Sequence, residues 1–386
     1  FPNQMVWEIY LNGVLCLNIE SIKLINFRNY GSLNVNLNKN INIFIGKNAQ
    51  GKTNLLEAIY ICATGNSFRT NRDKELINFY RNEAYIGANI NLNGAKKFIE
   101  IKLDKNRKKR IRINKVELNN FKELNSGLSV VVFSPDDLKM IKDGPYERRK
   151  FLDSSISQIR PVYKYNLSKY NKILYQRNNL LKSNKQKSDI LSLLEIFDLQ
   201  LAKTGAEIIL ARKDFLNKLS NEAESIHKQL TLENEKLTLD YISNVNNLDC
   251  NKNQIEENFF KGLKYSFKKD LITGNTEIGP HRDDIGIKIN GLDTRAFASQ
   301  GQQRTIVLSI KLSQMEIIYM EKEVYPILLL DDVFSELDNE RRKYLSKSLS
   351  KMQTIITSTD LLGLEDLKDM DKSIFYIENG KIKYGE

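Results

Sequence analysis

The residues Gly46-Lys47-Asn48-Ala49-Gln50-Gly51-Lys52-Thr53 follow the spacing GxxxxGK[ST]. An apolar run, Asn42-Ile43-Phe44-Ile45, leads in and a helical pattern leads out, the context this motif requires. Backbone N–H groups of such a loop, together with the positive end of the following helix, cradle phosphates. Lys52 then reaches the β- and γ-phosphates, and the Thr53 hydroxyl reaches Mg²⁺. Gly46 through Asn54 are thus the candidate ATP cradle. A second candidate is Ile327-Leu328-Leu329-Leu330-Asp331-Asp332, an apolar strand ending in two acids. Asp331 is placed to hold Mg²⁺, directly or through water. Asp332 is placed as the base that polarises an attacking water. Alone, two adjacent carboxylates could equally cap a strand in a purely structural way.

These residues need elements to hold them. Ile22 to Ile45 reads as β-structure, Asn54 to Ala63 as helix, and residues 86–133 are strand-rich. From Asp136 to about Lys269 the pattern turns helical and lysine-rich. Leu194, Phe197, Leu201, Ile208, Phe215 and Leu219 recur there with a 3.6-residue period. Strand character returns after Gly279-Pro280. A long helix is predicted from about Gln302 to Glu321. Ile355-Ile356-Thr357 and Ile374-Phe375-Tyr376-Ile377 read as closing strands. The organisation is an α/β domain split by a helical insertion.

Composition bounds the class. At 386 residues, two or three domains are expected. An apolar fraction of 41% supports a sizeable core. No apolar run approaches the roughly 18 residues of a membrane span, so no membrane partner is expected. The three cysteines lie far apart with no CxxC, which fits a reducing cytoplasm and argues against a zinc site. The net charge is +11, which suits a polyanion but also an AT-rich genome's lysine bias. The clusters say more. Lys102 to Lys115 reads as a basic β-hairpin turning at Asp104-Lys105-Asn106, with Lys108, Lys109 and Arg110 near its tip. Arg160 to Lys187 contains no acid and carries Lys169, Lys172, Arg177 and interleaved tyrosines. Each cluster is either a solvated face or a set of DNA phosphate contacts.

Ser299-Gln300-Gly301-Gln302-Gln303-Arg304 resembles the signature loop of the ATP-binding-cassette superfamily. There the serine and glycine of one subunit contact the γ-phosphate held by another, so Ser299, Gly301 and Gln302 join the candidate site. Ser335-Glu336-Leu337-Asp338 resembles the superfamily's D-loop, and Thr357-Ser358-Thr359-Asp360 sits where its switch residue lies. The ordered set goes further. Leu24-Ile25-Asn26-Phe27-Arg28-Asn29-Tyr30, Ser67-Phe68-Arg69-Thr70, Phe133-Ser134-Pro135-Asp136-Asp137-Leu138, Arg148-Arg149-Lys150 and Gly279-Pro280-His281-Arg282-Asp283-Asp284 together resemble the RecF family of bacterial DNA replication and repair proteins. The resemblance implies an ABC-type P-loop ATPase lobe over 20–140 and 279–386, interrupted by a helical lobe over 141–278. Residues 1–19 would be a leader or an added remnant. It also implies a slow, DNA-stimulated ATPase that dimerises on ATP. It would bind double-stranded and gapped DNA and act with RecR and RecO to assist RecA. Arg69 would lie near the nucleotide, and His281 would be either structural or near the site. A transporter's nucleotide-binding subunit is the alternative, weakened by the helical insertion and the missing switch histidine. A chromosome-organising protein with a long coiled coil is disfavoured by the short interval between Thr53 and Ser299. No metal-ligand cluster suggests a nuclease.

Overall fold

Strands buried on both faces tend to be continuous apolar runs rather than alternating, and Val130–Phe133 and Ile327–Asp331, apolar up to its terminal acid, are such runs in the sheet that carries the candidate site. The computed structural model describes residues 16–118, 127–183, 187–361 and 363–384. Its strands, in chain order, are β1 (Leu17–Phe27), β2 (Tyr30–Asn36), β3 (Ile41–Ile45), β4 (Glu83–Leu92), β5 (Ala95–Asp104), β6 (Arg110–Ile113), β7 (Val116–Glu117), β8 (Val130–Phe133), β9 (Leu237–Ile242), β10 (Asp284–Ile289), β11 (Leu292–Asp293), β12 (Ile327–Asp331), β13 (Thr354–Ser358), β14 (Lys372–Glu378) and β15 (Lys381–Tyr384). The longer helices are α1 (Lys52–Thr64), α2 (Pro145–Ile159), α3 (Pro161–Leu181), α4 (Lys187–Leu230), α5 (Lys252–Thr273), α6 (Gln300–Lys322) and α7 (Asn339–Leu349). None among the described residues is long and apolar enough to cross a membrane.

The chain divides into two units. One comprises the residues up to Asp137 and those from Arg304 onward, and the other is Leu138–Gln303. The first contains a sheet of order β15-β14-β3-β13-β12-β8. Its strands are parallel except β15. β3, β12 and β13 are buried along their whole length. Asp331 pairs with Thr357 and Ser358 with Ile45, so the carboxyl ends of three adjacent strands stand in a row. That edge is where ligands bind in open parallel sheets. A second, antiparallel sheet has the order β2-β1-β4-β5-β6-β7. α1 is apolar nearly all round, with Leu55, Leu56, Ala58, Ile59 and Ile61 buried. It shares one core with Ile22, Leu24, Ile86 and Ile101 of the antiparallel sheet and Ile327, Leu329 and Ile355 of the parallel one. A helix between two sheets has no solvent face to make polar.

The second unit is helical around α4, where the periodic Leu194, Leu201, Ile208, Phe215 and Leu219 are all buried and Phe197 is partly buried. It also holds a small sheet of order β11-β10-β9, which the expectation of a helical insertion did not include. β10 pairs with β9 from Asp284 to Ile289. This ladder draws residues 279–303 into the second unit, so its boundary falls after Gln303 rather than after 278. Of the leader expected over 1–19, residues 1–15 lie outside the described residues, and Leu17–Ile19 are already part of β1.

Candidate nucleotide site

The glycine loop runs from the end of β3 into α1. Gly46 donates its N–H to the Ser358 carbonyl at 3.1 Å, tying the loop to β13. A Cβ on Gly46 would lie 2.5 Å from the Ile377 carbonyl oxygen, so no larger residue fits. Gly51 has φ +112, and a Cβ there would strike the Asn29 amide at 2.6 Å. Distant residues brace the loop. Asn29 Nδ2 donates to the Gln50 carbonyl at 2.9 Å, the Tyr30 hydroxyl to the Gly51 carbonyl at 2.9 Å, and the Asn379 N–H to Gln50 Oε1 at 2.5 Å. Lys47, Asn48 and Ala49 are exposed at the loop's crest. Gly51 offers no side-chain cap, so the first-turn N–H groups of α1 are left for an anion.

Lys52 is buried at the start of α1. Its Nζ donates to the Gly46 carbonyl at 2.6 Å and lies 3.8 Å from Asp332 Oδ2. The Thr53 hydroxyl is 2.9 Å from both Asp331 carboxylate oxygens. Thr357 donates its hydroxyl to Asp331 Oδ1 at 2.8 Å. Asp332 has φ 54, a strained value for a non-glycine residue. Its N–H donates to the Thr357 carbonyl at 3.2 Å, which helps hold it there. Burial raises its carboxyl pKa above the ordinary range; Lys52 opposes that shift and Asp331 adds to it. Lys52, Thr53, Asp331 and Asp332 therefore converge, joined by Thr357 at the expected switch position. The hydroxyl and carboxylate oxygens of Thr53 and Asp331 are the hard donors Mg²⁺ prefers.

Asn54 faces a different network. Its amide donates to Asn29 Oδ1 at 2.8 Å and accepts from Arg69 at 2.8 Å. Arg69 also lies 3.8 Å from Glu57, a fully buried carboxylate held by Arg28 at 2.8 Å and by the Ser67 hydroxyl at 2.5 Å. The Arg28, Ser67 and Glu57 cluster carries no chemical signature in sequence. Its members lie up to 39 positions apart in sequence and meet only through the fold.

In the second unit, Ser299 and Gly301 are exposed at the start of α6. Ser299 and Gln302 form a reciprocal cap: Ser299 N–H donates to Gln302 Oε1 at 2.8 Å, and Gln302 N–H to Ser299 Oγ at 3.3 Å. Gln302 Nε2 donates to Glu235 at 2.8 Å, so this side chain, expected at the nucleotide, is a brace for Ser299. His281 takes its structural reading. Its Nε2 donates to the Thr276 carbonyl at 2.8 Å, so Nδ1 accepts from the Tyr170 hydroxyl at 2.7 Å. Burial pushes its pKa down to about 4 against that backbone bond, which leaves the ring neutral at pH 7.

The basic candidates divide. The hairpin is formed by β5 and β6, with Lys102 opposite Arg110. Lys108 and Arg110 are exposed and help line a cavity of about 330 Å³ with Lys23, Lys102 and Arg107. Lys109 is instead folded inward. Its Nζ donates to the Gly65 carbonyl at 2.7 Å and to Asp73 at 3.0 Å, which removes it as a DNA contact. Lys169 and Lys172 are exposed on α3. Arg177, on the same helix, is fully buried and bonded to Asp198 at 2.6 Å and Asp270 at 2.7 Å. It is a core residue and cannot reach DNA. Lys185 and the side chain of Lys187 lie outside the described residues.

With this geometry in place, comparison with known proteins is specific. The RecF/RecN/SMC N-terminal domain family matches residues 18–383. A DNA replication and repair protein RecF from Alkaliphilus oremlandii is 47% identical over 366 residues, covering 94% of this chain and 99% of that protein. The solved structure of the recombination mediator protein RecF-ATPrS in the RecFOR pathway superposes with TM-score 0.89 at 37% identity, covering 97% of this chain and 99% of that one. That of RecF-ATP superposes with TM-score 0.87 at 38% identity, covering 96% and 100%. The transporter alternative finds no support in these matches. A glycine loop and an acidic strand end on one sheet edge, carried by a chain this similar over nearly its whole length, have one explanation: the chain belongs to the RecF family.

Proposed function

We propose that this protein is an ATP-hydrolysing DNA-binding protein of replication and repair, working in the cytoplasm at duplex and gapped DNA. One observation carries the nucleotide part. Thr53 and Asp331, 278 positions apart in sequence, stand 2.9 Å from each other. Their families of contacts join the phosphate loop to the acidic strand end, as phosphoryl-transfer sites require. ATP's phosphates would take Lys52 from Asp332. Thr53 and Asp331 would hold Mg²⁺, which when bound neutralises phosphate charge. Asp332, freed and with a raised pKa, would accept a proton from the attacking water.

The dimer reading rests on Ser299 and Gly301. A Cβ on Gly301 would find nothing nearer than Ser299 Oγ at 4.0 Å. Among the described residues, nothing in the packing around Gly301 demands a glycine in this helical turn, where glycine weakens the helix. A phosphate brought close by a second copy supplies the reason. ATP would then bridge two chains, close them on DNA, and release them on hydrolysis. Partnership with RecR and RecO, and through them RecA, is part of the same reading.

Sedimentation with and without ATP, Mg²⁺ and a gapped duplex tests it, with Lys52→Arg as control. Wild type should dimerise only with nucleotide, and Ser299→Arg should stay monomeric. A charge-assisted hydrogen bond contributes roughly 1.5–3 kcal/mol, so losing one in each of two interfaces should weaken the dimer by about 100-fold or more. Nucleotide-independent dimers, or an unaffected Ser299→Arg variant, would count against the scheme.

The hairpin gives a separate test. Replacing Lys108 and Arg110 by alanine should weaken duplex binding evenly across sequences. The slope of log affinity against log salt should flatten by up to about 2. An unchanged slope would take the hairpin out of the interface.

A further inference from the structure

Phe79 and Tyr80 are 85% and 87% exposed, adjacent, and set edge to face with ring centroids 5.3 Å apart. Two consecutive large aromatics given almost wholly to water contribute nothing to the core, and exposed apolar groups of this size mark contact sites. Their backbone is nevertheless firmly held. Asn78 N–H donates to the Asn26 carbonyl at 2.8 Å, and Asn78 Nδ2 donates to the Arg28 carbonyl at 2.9 Å. Tyr80 N–H donates to Asn78 Oδ1 at 3.2 Å and Arg81 N–H to the Asn78 carbonyl at 2.9 Å. The rings thus stand on a tight turn anchored to the end of β1.

The turn is also tied to the tip of the basic hairpin. Lys105 donates its N–H to the Asn82 carbonyl at 3.0 Å and its Nζ to the Phe79 carbonyl at 3.2 Å. Arg81, Arg107 and Lys108 are exposed around this junction. The nearby acids are Glu83 and Asp104, which face each other across β4 and β5. Asp104 Oδ1 already accepts the N–H groups of Asn106 and Arg107 at 2.7 and 3.2 Å. The excess charge is positive, and the surface between the cations is aromatic. Open ring faces flanked by cations match one class of ligand: unpaired nucleotides, whose bases stack and whose phosphates are neutralised. Duplex DNA, with its bases already stacked on one another, offers the rings nothing.

We infer that Phe79 and Tyr80 are a stacking platform for single-stranded DNA, placed beside the basic hairpin so that unpaired bases next to a duplex can be gripped. This rests on the DNA-binding reading above and sharpens it: the hairpin meets phosphates, and the aromatic pair distinguishes a gap from continuous duplex.

The test is fluorescence anisotropy with ATP and Mg²⁺, using labelled oligo-dT and a blunt duplex of equal length. Phe79→Ala/Tyr80→Ala should lose about tenfold or more in affinity for oligo-dT and stay within twofold of wild type on duplex. Phe79→Leu/Tyr80→Leu should lose as much, since apolar bulk without a ring face does not stack. Phe79→Tyr/Tyr80→Phe should bind like wild type. Both positions are exposed, so thermal unfolding should be unchanged in all three variants. Wild-type affinity for oligo-dT in the leucine or alanine variants would overturn the inference, and so would an equal loss on both DNAs. Wild type binding duplex but not oligo-dT would overturn it while leaving the DNA-binding reading intact. Binding of neither would remove that reading as well.

Discussion

Lys52→Ala should reduce ATP turnover by at least about 100-fold, the range seen when one group that stabilises transition-state charge is removed. Lys52 is buried and lies between the Gly46 carbonyl and the Asp332 carboxylate. No other cation is within ion-pair distance of Asp332 among the described residues. Alanine therefore removes the charge that would meet the phosphates and leaves Asp332 beside Asp331 without its compensating ammonium. Lys52→Arg keeps the charge but brings a bulkier, planar head into a buried slot, so it should restore little turnover. Steady-state phosphate release measures both variants. Turnover within tenfold of wild type for Lys52→Ala would exclude this lysine from the chemistry.

Arg212→Ala should lower stability by about 3–5 kcal/mol, the usual cost of breaking a buried ion pair from one side. Arg212 is almost wholly buried on α4. It donates to both Asp153 oxygens at 2.8 and 3.1 Å, to the Tyr163 hydroxyl at 3.1 Å and to the Pro280 carbonyl at 2.6 Å, and it lies 3.4 Å from Asp283. Burial already raises the Asp283 carboxyl pKa, with Arg212 opposing the shift. Without the guanidinium, Asp283 loses the cation that offsets its burial and Asp153 loses the hydrogen bonds that cation donated. At roughly 2–4 °C per kcal/mol for a unit of this size, the melting temperature should fall by about 6–20 °C. Tyr163→Phe, which removes one hydroxyl and no charge, should cost far less. A drop under about 2 °C for Arg212→Ala would show that the cluster is not a keystone of the second unit.

The site was legible where chemistry imposes local spacing. The loop from Gly46 to Thr53 and the acids after Leu330 are each read within a few residues, and their meeting followed from the need to hold one ligand. The braces were not. Asn29, Tyr30 and Asn379 reach the loop from 21 to 329 positions away, and no local pattern encodes such contacts. Basic neighbours suggest a phosphate contact at Lys109, whereas its partner Asp73 sits 36 positions upstream. The position of Arg177 is encoded in its spacing. Tyr163, Tyr170 and Arg177 recur every seven residues, so all three lie on one face of α3, and that face is buried. β9 alternates as Leu237-Thr238-Leu239-Asp240-Tyr241-Ile242, a strand pattern hidden between long helical stretches. Its partner β10 then decided where the second unit ends.

The bracing of the phosphate loop also bears on how the protein is made. Gly46 packs against the Ile377 carbonyl, Gln50 is held by Asn379, and a Cβ on Gly380 would meet the Asn29 carbonyl oxygen at 2.8 Å. A ribosome that has synthesised the whole glycine motif has supplied Asn29 and Tyr30 but not the remaining supports; more than 300 further residues must emerge before β14 and the turn after it can dock. A nascent chain carries the phosphate-binding residues long before the loop has its full set of braces, which is complete only once residue 380 has emerged.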